Sequence, residues 1–417
     1  MENIVIAVGL ALGLASILVV QYACAAGFVS LHKRPWQDSP DGDLPEALVI
    51  LALRGADPYL ERTVESLLEL DYPRYDLRFV VDCRDDPAWS VVQTVLDRSD
   101  AVNVALKVLD KPSSTCGLRV SALLQEIVGL DERYGAVVWL DADVIPYRRW
   151  LRDMLEPFGN PKVGATSGIR WYLPNSGGWG TVLRALWNVG SVIYMQAFGI
   201  GFGGSMAVRS EILRDTTVLD KWRCILWEDT YMFQVMSDAG LRLQFVPRAT
   251  MANQETIGLL ACFRFVRRQI LNARLYHPSW WALLSLGTMS CVLPLLGLSV
   301  ALIETLRGNA LLATIDMSLV MGYILGSTVI YGWAGACSNR VVRQRGIPNW
   351  RFPVSVVWIA PLVPVFHLVA SVSAAVTRKI EWRGIEYCVR GPAEIEMTQY
   401  VPYRMRDGAG AVDSSLM

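Results

Sequence analysis

Carboxylates gather at three places in this 417-residue sequence. Asp82-Cys83-Arg84-Asp85-Asp86-Pro87 is one, Asp141-Ala142-Asp143 the second and Trp227-Glu228-Asp229-Thr230 the third. Two acids at i and i+2 can turn toward one ligand where a chain leaves a sheet. Their hard oxygens suit Mg2+ or Mn2+, ions that bridge phosphates. A lone Asp-x-Asp is also a common surface pair, so its setting has to decide. Glu228 and Asp229 precede an amphipathic stretch with Tyr231, Met232, Val235 and Met236. There they act either as acids at a helix N-terminus or as a general base aimed into a cleft. Further on, Arg264-Phe265-Val266-Arg267-Arg268 and Arg274 lead into a long apolar stretch. Arginines so placed contact lipid headgroups or hold a diphosphate by bidentate contacts. The sequence has no P-loop signature, so a kinase-like phosphate cradle is not the design.

The elements that would present these groups alternate. Residues 47–53 (ALVILAL) read as a buried strand, and Asp57-Pro58 opens a helix with Leu60, Val64, Leu67 and Leu68 on one face. A second strand is expected at 77–81, a helix at 88–96, a third strand at 102–108, a helix at 118–130 and a fourth strand at 136–140. Continuous apolar strands separated by helices imply a parallel sheet covered on both faces. Such sheets bind ligands just beyond the carboxyl ends of their strands. Asp82 follows the second strand and Asp141-Ala142-Asp143 the fourth, which places both at a cleft.

Composition limits the classes open to the chain. Hydrophobic residues make up 53% and charged residues 19%, and mean hydropathy is +0.31. Soluble domains are roughly 25% charged, so a purely soluble protein is disfavoured and disorder is excluded. Thirty-nine basic residues balance 39 acidic ones, which gives no support for a nucleic-acid partner. Eight scattered cysteines without a CxxC pair, and three histidines, argue against a zinc cluster and read as reduced thiols.

The apolar residues concentrate near the two ends. Residues 4–28 carry no charge and span roughly 37 Å as a helix, enough to cross a bilayer. Met1-Glu2-Asn3 lacks a positive n-region, so the run reads as a retained anchor rather than a cleaved signal peptide. Lys33 and Arg34 after it put the next domain in the cytoplasm. Stretches 280–303 and 311–333 read as two further spans, and Asp316 as a residue near the membrane interface. Stretch 352–376, with Pro353, Pro361 and Pro364, either spans or re-enters. If it spans, the basic tail lies outside, against the charge rule. Residues 179–198 form either a core helix or an interfacial helix lining a lipid path. The aromatic cluster from Tyr276 to Trp281 would form a headgroup-level belt. The expected division is an anchor at 1–34, an α/β domain at 35–278, membrane-embedded helices at 279–380 and a tail at 381–417. The small polar end of that tail, beyond Arg404, reads as disordered.

The order Asp82, Asp141-Ala142-Asp143, Glu228-Asp229, Arg264-x-x-Arg267, then membrane segments, resembles the family 2 inverting glycosyltransferases, specifically their ceramide glucosyltransferase branch. VVDCRDDPAWSVV, VVWLDADVIP, GGSMAVRSEIL, LWEDTYMFQVMSDAGLRLQF and EWRGIEY look like that branch, and the similarity covers residues 45–395. The resemblance implies a GT-A fold, a Rossmann-like and mostly parallel α/β domain facing the cytoplasm. One N-terminal and two to three C-terminal transmembrane helices would flank it. It implies transfer of a sugar, with inversion, from a nucleotide sugar (UDP is the expected nucleotide) to a hydroxyl of a membrane lipid, ceramide-like or other. Asp82 would contact the uracil or ribose and Asp141 the ribose-diphosphate part. Asp143 would bind Mg2+ or Mn2+, which neutralises charge on the departing diphosphate. Asp229 would deprotonate the acceptor hydroxyl. Arg264 and Arg267 would steady the diphosphate or the acceptor. Arg119 falls where relatives often have a lysine near the nucleotide, and Arg268 stands where the family motif has Trp. A processive polysaccharide synthase, a transporter and a non-catalytic membrane scaffold are the rival readings. Few spans, few charges within them and a final motif without its Gln count against the first two.

Overall fold

The computed structural model describes residues 2–35, 39–347 and 356–403. Seven strands form one sheet: β1 Ala47–Leu53, β2 Tyr75–Val81, β3 Val104–Val108, β4 Ala136–Leu140, β5 Val163–Tyr172, β6 Ser205–Arg209 and β7 Arg242–Asn253. Their spatial order is β3-β2-β1-β4-β6-β5-β7. β1 is parallel to β2 and β4, and β2 to β3, as the apolar runs predict. β6 runs antiparallel to both β4 and β5, while β5 is parallel to β7.

Helix α1 Glu2–His32 precedes the sheet. α2 Leu60–Leu68, α3 Pro87–Leu96, α4 Leu118–Ile127 and α5 Trp150–Leu155 follow β1 to β4 in turn. α6 Trp179–Phe198 follows β5, and α7 Ser210–Leu213, α8 Thr216–Trp222 and α9 Met232–Asp238 lie between β6 and β7. The helix expected at 118–130 stops at Ile127 because Val128 is already extended.

β1 is buried at six of its seven positions, as a strand covered on both faces must be. Ile50 and Trp139 face one core with Leu123 of α4 and Trp222 of α8. Val49, Leu51, Phe79 and Val138 face the other with Leu60, Val64 and Leu67 of α2. Trp139 meets Trp222 edge-on at 5.7 Å, and truncating either to Ala would cost about 3–5 kcal/mol. The register does the positioning. Leu53 pairs with Val81, and Ile50 with Trp139. Arg54 and Asp82 therefore leave the sheet side by side, with Asp141 one strand along.

Helices α10 Leu259–Tyr276, α11 Trp280–Leu306 and α12 Ala310–Gln344 follow the sheet. Ile4–His32, Trp280–Leu306 and Ala310–Gln344 are long and apolar enough to cross a membrane. They are joined by polar contacts of the kind that hold helices together in lipid. Gln21 Nε2 donates to Tyr323 Oη at 3.2 Å and Gln21 Oε1 accepts from Ser327 Oγ at 2.7 Å. α12 has 35 residues, roughly 52 Å, against a bilayer core of about 30 Å. Its last turns reach the α/β domain: Trp171 Nε1 donates to Asn339 Oδ1 at 2.8 Å, and Arg345 lies 3.5 Å over the Tyr147 ring. Asp316, expected near the interface, lies within two turns of the loop joining α11 to α12 and is 1% exposed.

After residues 348–355 come α13 Val356–Ile359, a 3-10 turn at Ala360–Leu362 and α14 Val363–Val376. Pro361 and Pro364 each stand in the first turn of their element, where a missing N–H costs nothing. α14 is 14 residues long, roughly 21 Å, too short for the bilayer core. It lies along α10 instead: Arg274 donates to Ala374 O at 2.7 Å and to Thr377 O at 3.1 Å. β8 Lys379–Trp382, β9 Ile385–Gly391 and β10 Glu394–Gln399 then form an antiparallel sheet. That sheet docks on the α/β domain, with Leu118 N donating to Tyr387 Oη at 3.1 Å and Met397 N to Ser114 O at 2.7 Å. The tail thus sits against the α/β domain. Pro353 and the end from 404 onward lie outside the described residues.

Candidate active site

The strand register makes Arg54 and Asp82 an ion pair, with side chains 6% and 0% exposed. A buried pair needs its remaining polar positions filled, and the chain end fills them. Tyr400 Oη donates to Asp82 Oδ1 at 2.8 Å and Tyr403 N to Oδ2 at 2.9 Å. Arg54 Nη2 donates to Val401 O at 2.9 Å. Beside this corner, the turn from β8 to β9 carries Arg383 at φ 48° and Gly384 at φ 74°, the left-handed pair of a tight hairpin. An arginine there costs roughly 1 kcal/mol. In return its Nη2 contacts both oxygens of Asp57, at 2.8 and 2.9 Å.

One strand along, Arg119 Nη1 lies 2.6 Å from Asp141 Oδ1. Arg170 Nη2, from β5, touches Asp141 Oδ2 and lies 2.7 Å from Asp143 Oδ1. Burial alone would raise the pKa of Asp141, but Arg119 and Arg170 outweigh it and hold the carboxyl below its ordinary range. For Asp143 burial wins over Arg170, and Asp141 and Glu255 add to it, pushing the group up to about 7. Asn253 Nδ2 donates to Glu255 Oε2 at 3.2 Å, while the buried Glu255 Oε1 has no hydrogen-bond partner.

Arg119 also reaches back, its Nε 3.3 Å from Glu228 Oε1. Glu228 is 1% exposed; burial, opposed by Arg119 and reinforced by Asp229, pushes its pKa up to about 7. Arg119 stands in the first turn of α4, and Gly117 allows that turn to come so close: a Cβ on Gly117 would lie 2.2 Å from Leu226 O.

Asp229 Oδ2 accepts from Gly203 N at 3.1 Å; its Oδ1 accepts from Thr230 N at 2.7 Å and Asn272 Nδ2 at 2.8 Å. α9 begins only at Met232, its N-cap is Tyr231, and no side chain caps it. Of the two readings of Asp229, the geometry therefore supports a carboxylate held in a cleft over a helix cap.

α10 closes the cleft with Phe265, Arg268, Gln269 and Asn272, spaced i, i+3, i+4, i+7 on one face. Burial lowers the pKa of Arg268 to about 10. Among the described residues Arg268 makes no ion pair; its guanidinium lies 5.8 Å from the Phe265 ring. Of the residues singled out from the sequence, Asp82, Arg119, Asp141, Asp143 and Asp229 line this one cleft. Arg264 is exposed and Arg267 half-buried, and neither lines it. Arg54, Asp57, Arg170, Glu255, Arg268 and Arg383 line it as well. Arg54 carried a usable signal, since it directly follows an apolar strand.

Compared with protein families, the chain fits the glycosyl transferase family 21 model over residues 14–395. The chain belongs to glycosyl transferase family 21. The resemblance to the ceramide glucosyltransferase branch is thereby borne out, under the number 21 rather than 2, and the protein is a glycosyltransferase. Solved structures similar to this family 21 enzyme include a mannosyltransferase from Pyrobaculum calidifontis in complex with GDP-Man and Mn2+. It is 16% identical with a TM-score of 0.49, and the match covers 89% of this chain and 98% of that one. Glucosyl-3-phosphoglycerate synthase from Mycobacterium tuberculosis, in complex with Mn2+, UDP and glucosyl-3-phosphoglycerate, is also similar. It is 11% identical with a TM-score of 0.35, over 55% of this chain and 85% of that one.

The family 21 enzyme has a donor set that fits a hard divalent cation. Asp141 and Asp143 already share one cationic group, Arg170, and Glu255 offers a buried acceptor without a partner. All are oxygen ligands, as Mg2+ and Mn2+ prefer. Among the described residues no three His, Cys, Asp or Glu side chains converge on one point. Phosphate oxygens of a substrate would complete the shell.

Proposed function

We propose that this glycosyltransferase moves a sugar from a nucleotide sugar, with UDP as the nucleotide, to a hydroxyl of a membrane lipid, ceramide-like or similar. The observation that carries the reading is the placing of Asp229. It sits in the same cleft as Asp141, Asp143 and Arg119, and its wall is an amphipathic helix that runs directly into α11. The corner that Asp82 builds with Arg54 and Tyr400 receives the nucleoside end and Asp141 the ribose-diphosphate part, with Arg119 and Arg268 facing the diphosphate. Asp143, with Glu255 near it, would hold Mg2+ or Mn2+, which would supply charge neutralisation for the leaving diphosphate. Asp229 takes the proton from the acceptor hydroxyl. The new bond forms between that oxygen and the anomeric carbon as the bond to the diphosphate breaks, on the opposite face, so configuration inverts. The three hydrogen bonds that fix Asp229 leave it oriented before the acceptor arrives.

The lipid reading is supported by the apolar wall. Trp187 of α6 donates to His367 Nδ1 of α14 at 3.1 Å, and its ring meets Phe265 edge-on. Trp179 of α6, Leu259 and Leu260 of α10 and Trp358 of α13 are exposed. Arg264 and Arg267 then suit headgroup phosphates better than the donor. Lys33, Arg34, Arg340 and Arg343 at the domain-side ends of α1 and α12 support a cytoplasmic catalytic face.

The test is transfer from labelled UDP-sugars, with Mn2+, to ceramide in nanodiscs, read by lipid mass spectrometry. Asp229→Asn should lower kcat by roughly 10²–10⁴ while leaving UDP binding intact. Unchanged turnover in that variant would show that Asp229 is not the base. A wild-type enzyme that glycosylates only soluble acceptors would overturn the lipid assignment.

A further inference from the structure

Arg170 occupies the position between the two acids of the Asp141-Ala142-Asp143 turn. One nitrogen, Nη2, serves both Asp141 Oδ2 and Asp143 Oδ1. The side chain is 13% exposed, and the guanidinium rests 4.8 Å from the Phe202 ring centroid, with Nη1 3.3 Å from Tyr172 Oη. The other oxygen of Asp141 belongs to Arg119. A divalent cation on Asp143 would compete for the same oxygen that Arg170 now holds. A divalent cation held by Asp143 and the Arg170 guanidinium would then face each other across one buried carboxylate, and that repulsion is relieved only when a new anion enters beside them.

We propose that Arg170 is a resident cation that keeps the Asp141–Asp143 pair closed until metal and donor arrive together, and that it passes from the carboxylates to the donor's diphosphate. This rests on the reading of Asp143 as the metal ligand. The neighbouring carboxylates explain why a metal ion alone is not enough. Asp57 is taken by Arg383, Asp82 by Arg54 and Glu228 by Arg119; Asp229 is held by Gly203 N, Thr230 N and Asn272, and Glu255, with one oxygen open, stands on the metal's side of the site. Arg170 displaced from Asp143 by the metal alone would keep only Asp141, which Arg119 already shares, while a divalent charge sits beside it in a buried site, and that is unfavourable. A diphosphate brings the replacement anion, and the planar guanidinium suits it. Metal and nucleotide then bind with positive coupling, each raising the affinity for the other by the same factor. The coupling resides in Arg170, so neutralising that side chain should remove it.

The experiment is a Mn2+ titration of the purified full-length protein, with free Mn2+ read by electron paramagnetic resonance, in the presence and absence of UDP. No turnover is involved. In the wild type, UDP should tighten Mn2+ binding at least tenfold. Arg170→Gln should bind Mn2+ at least tenfold more tightly than wild type without UDP, and the gain on adding UDP should shrink by the same factor. Arg170→Lys, which keeps the charge but loses the planar fork, should fall between the two, and it carries the comparison if the Gln variant does not fold. Asp143→Asn should weaken Mn2+ in every background. If Arg170→Gln binds Mn2+ no more tightly than wild type while Asp143→Asn still weakens it, the exchange is refuted and the metal reading survives. If Asp143→Asn changes nothing, both fall.

Discussion

Replacing Glu228 with Gln removes a charge and little else in shape. In the unfolded chain this carboxyl gives up its proton near the ordinary 4.5; in the fold it keeps it up to about 7. Between those values the folded state holds the extra proton, so the group's contribution to stability falls as pH rises and levels off above 7. At 1.36 kcal/mol for each pH unit between the two midpoints, the full penalty is about 3 kcal/mol, present above pH 7 and absent below 4.5. Glutamine has no such dependence. It does weaken the contact with Arg119 Nε, but that loss is a constant offset to first order. Asp143 titrates in both proteins and cancels in the comparison. The measurable quantity is therefore the difference in melting temperature between Glu228→Gln and wild type, followed from pH 4.5 to 8. It should move in favour of the variant by roughly 3–6 °C over that range, using typical unfolding entropies per residue. A difference that stays flat, or moves the other way, would show that Glu228 is ionised in the fold and that Arg119 stabilises it fully.

Other consequences can be checked with single variants. Arg383→Ala leaves the buried Asp57 without its bidentate partner; it should lower stability by about 3 kcal/mol and raise the donor KM, measured by thermal shift and initial rates. Gly117→Ala drives a methyl to within 2.2 Å of Leu226 O; a loss of about 2 kcal/mol or more and a parallel loss of kcat are expected, since Arg119 moves with the turn. The double variant Arg264→Ala, Arg267→Ala should keep hydrolysis of the donor in detergent yet lose activity toward lipid in vesicles containing anionic phospholipid. Equal loss in both assays would place those arginines at the donor after all.

Much of the α/β domain was legible because its strands are continuous apolar runs, and β1 and β4 begin and end where ALVILAL and AVVWL do. The acids directly after β2 and β4 were legible for the same reason. Arg170 was not, because β5 reads VGATSGIRWY, with glycine and serine where an apolar run would announce a strand. The antiparallel β6 was hidden too, since its partner choice is a tertiary matter. In α10 the cleft is lined by Arg268, next to the Arg264 and Arg267 that the motif singles out. Arg268 shares a face with Asn272, whereas Arg267 is turned by about 100°, and Arg264, on nearly the same face, is exposed and does not line the cleft. Arg383 was invisible as a site residue because nothing local shows that the chain end returns to the strand ends.

That return has a consequence for synthesis. The partners of Asp57 and Asp82 are Arg383, Tyr400 and the backbone of Tyr403, more than three hundred residues downstream. At the usual 5–20 residues per second, the ribosome finishes them roughly 15–70 seconds after the acids they complete. Throughout that interval the nascent chain carries Asp57 and Asp82 without the groups that complete them. Competence therefore waits on residues 383–403, and shortened products that stop after α12 lack that corner.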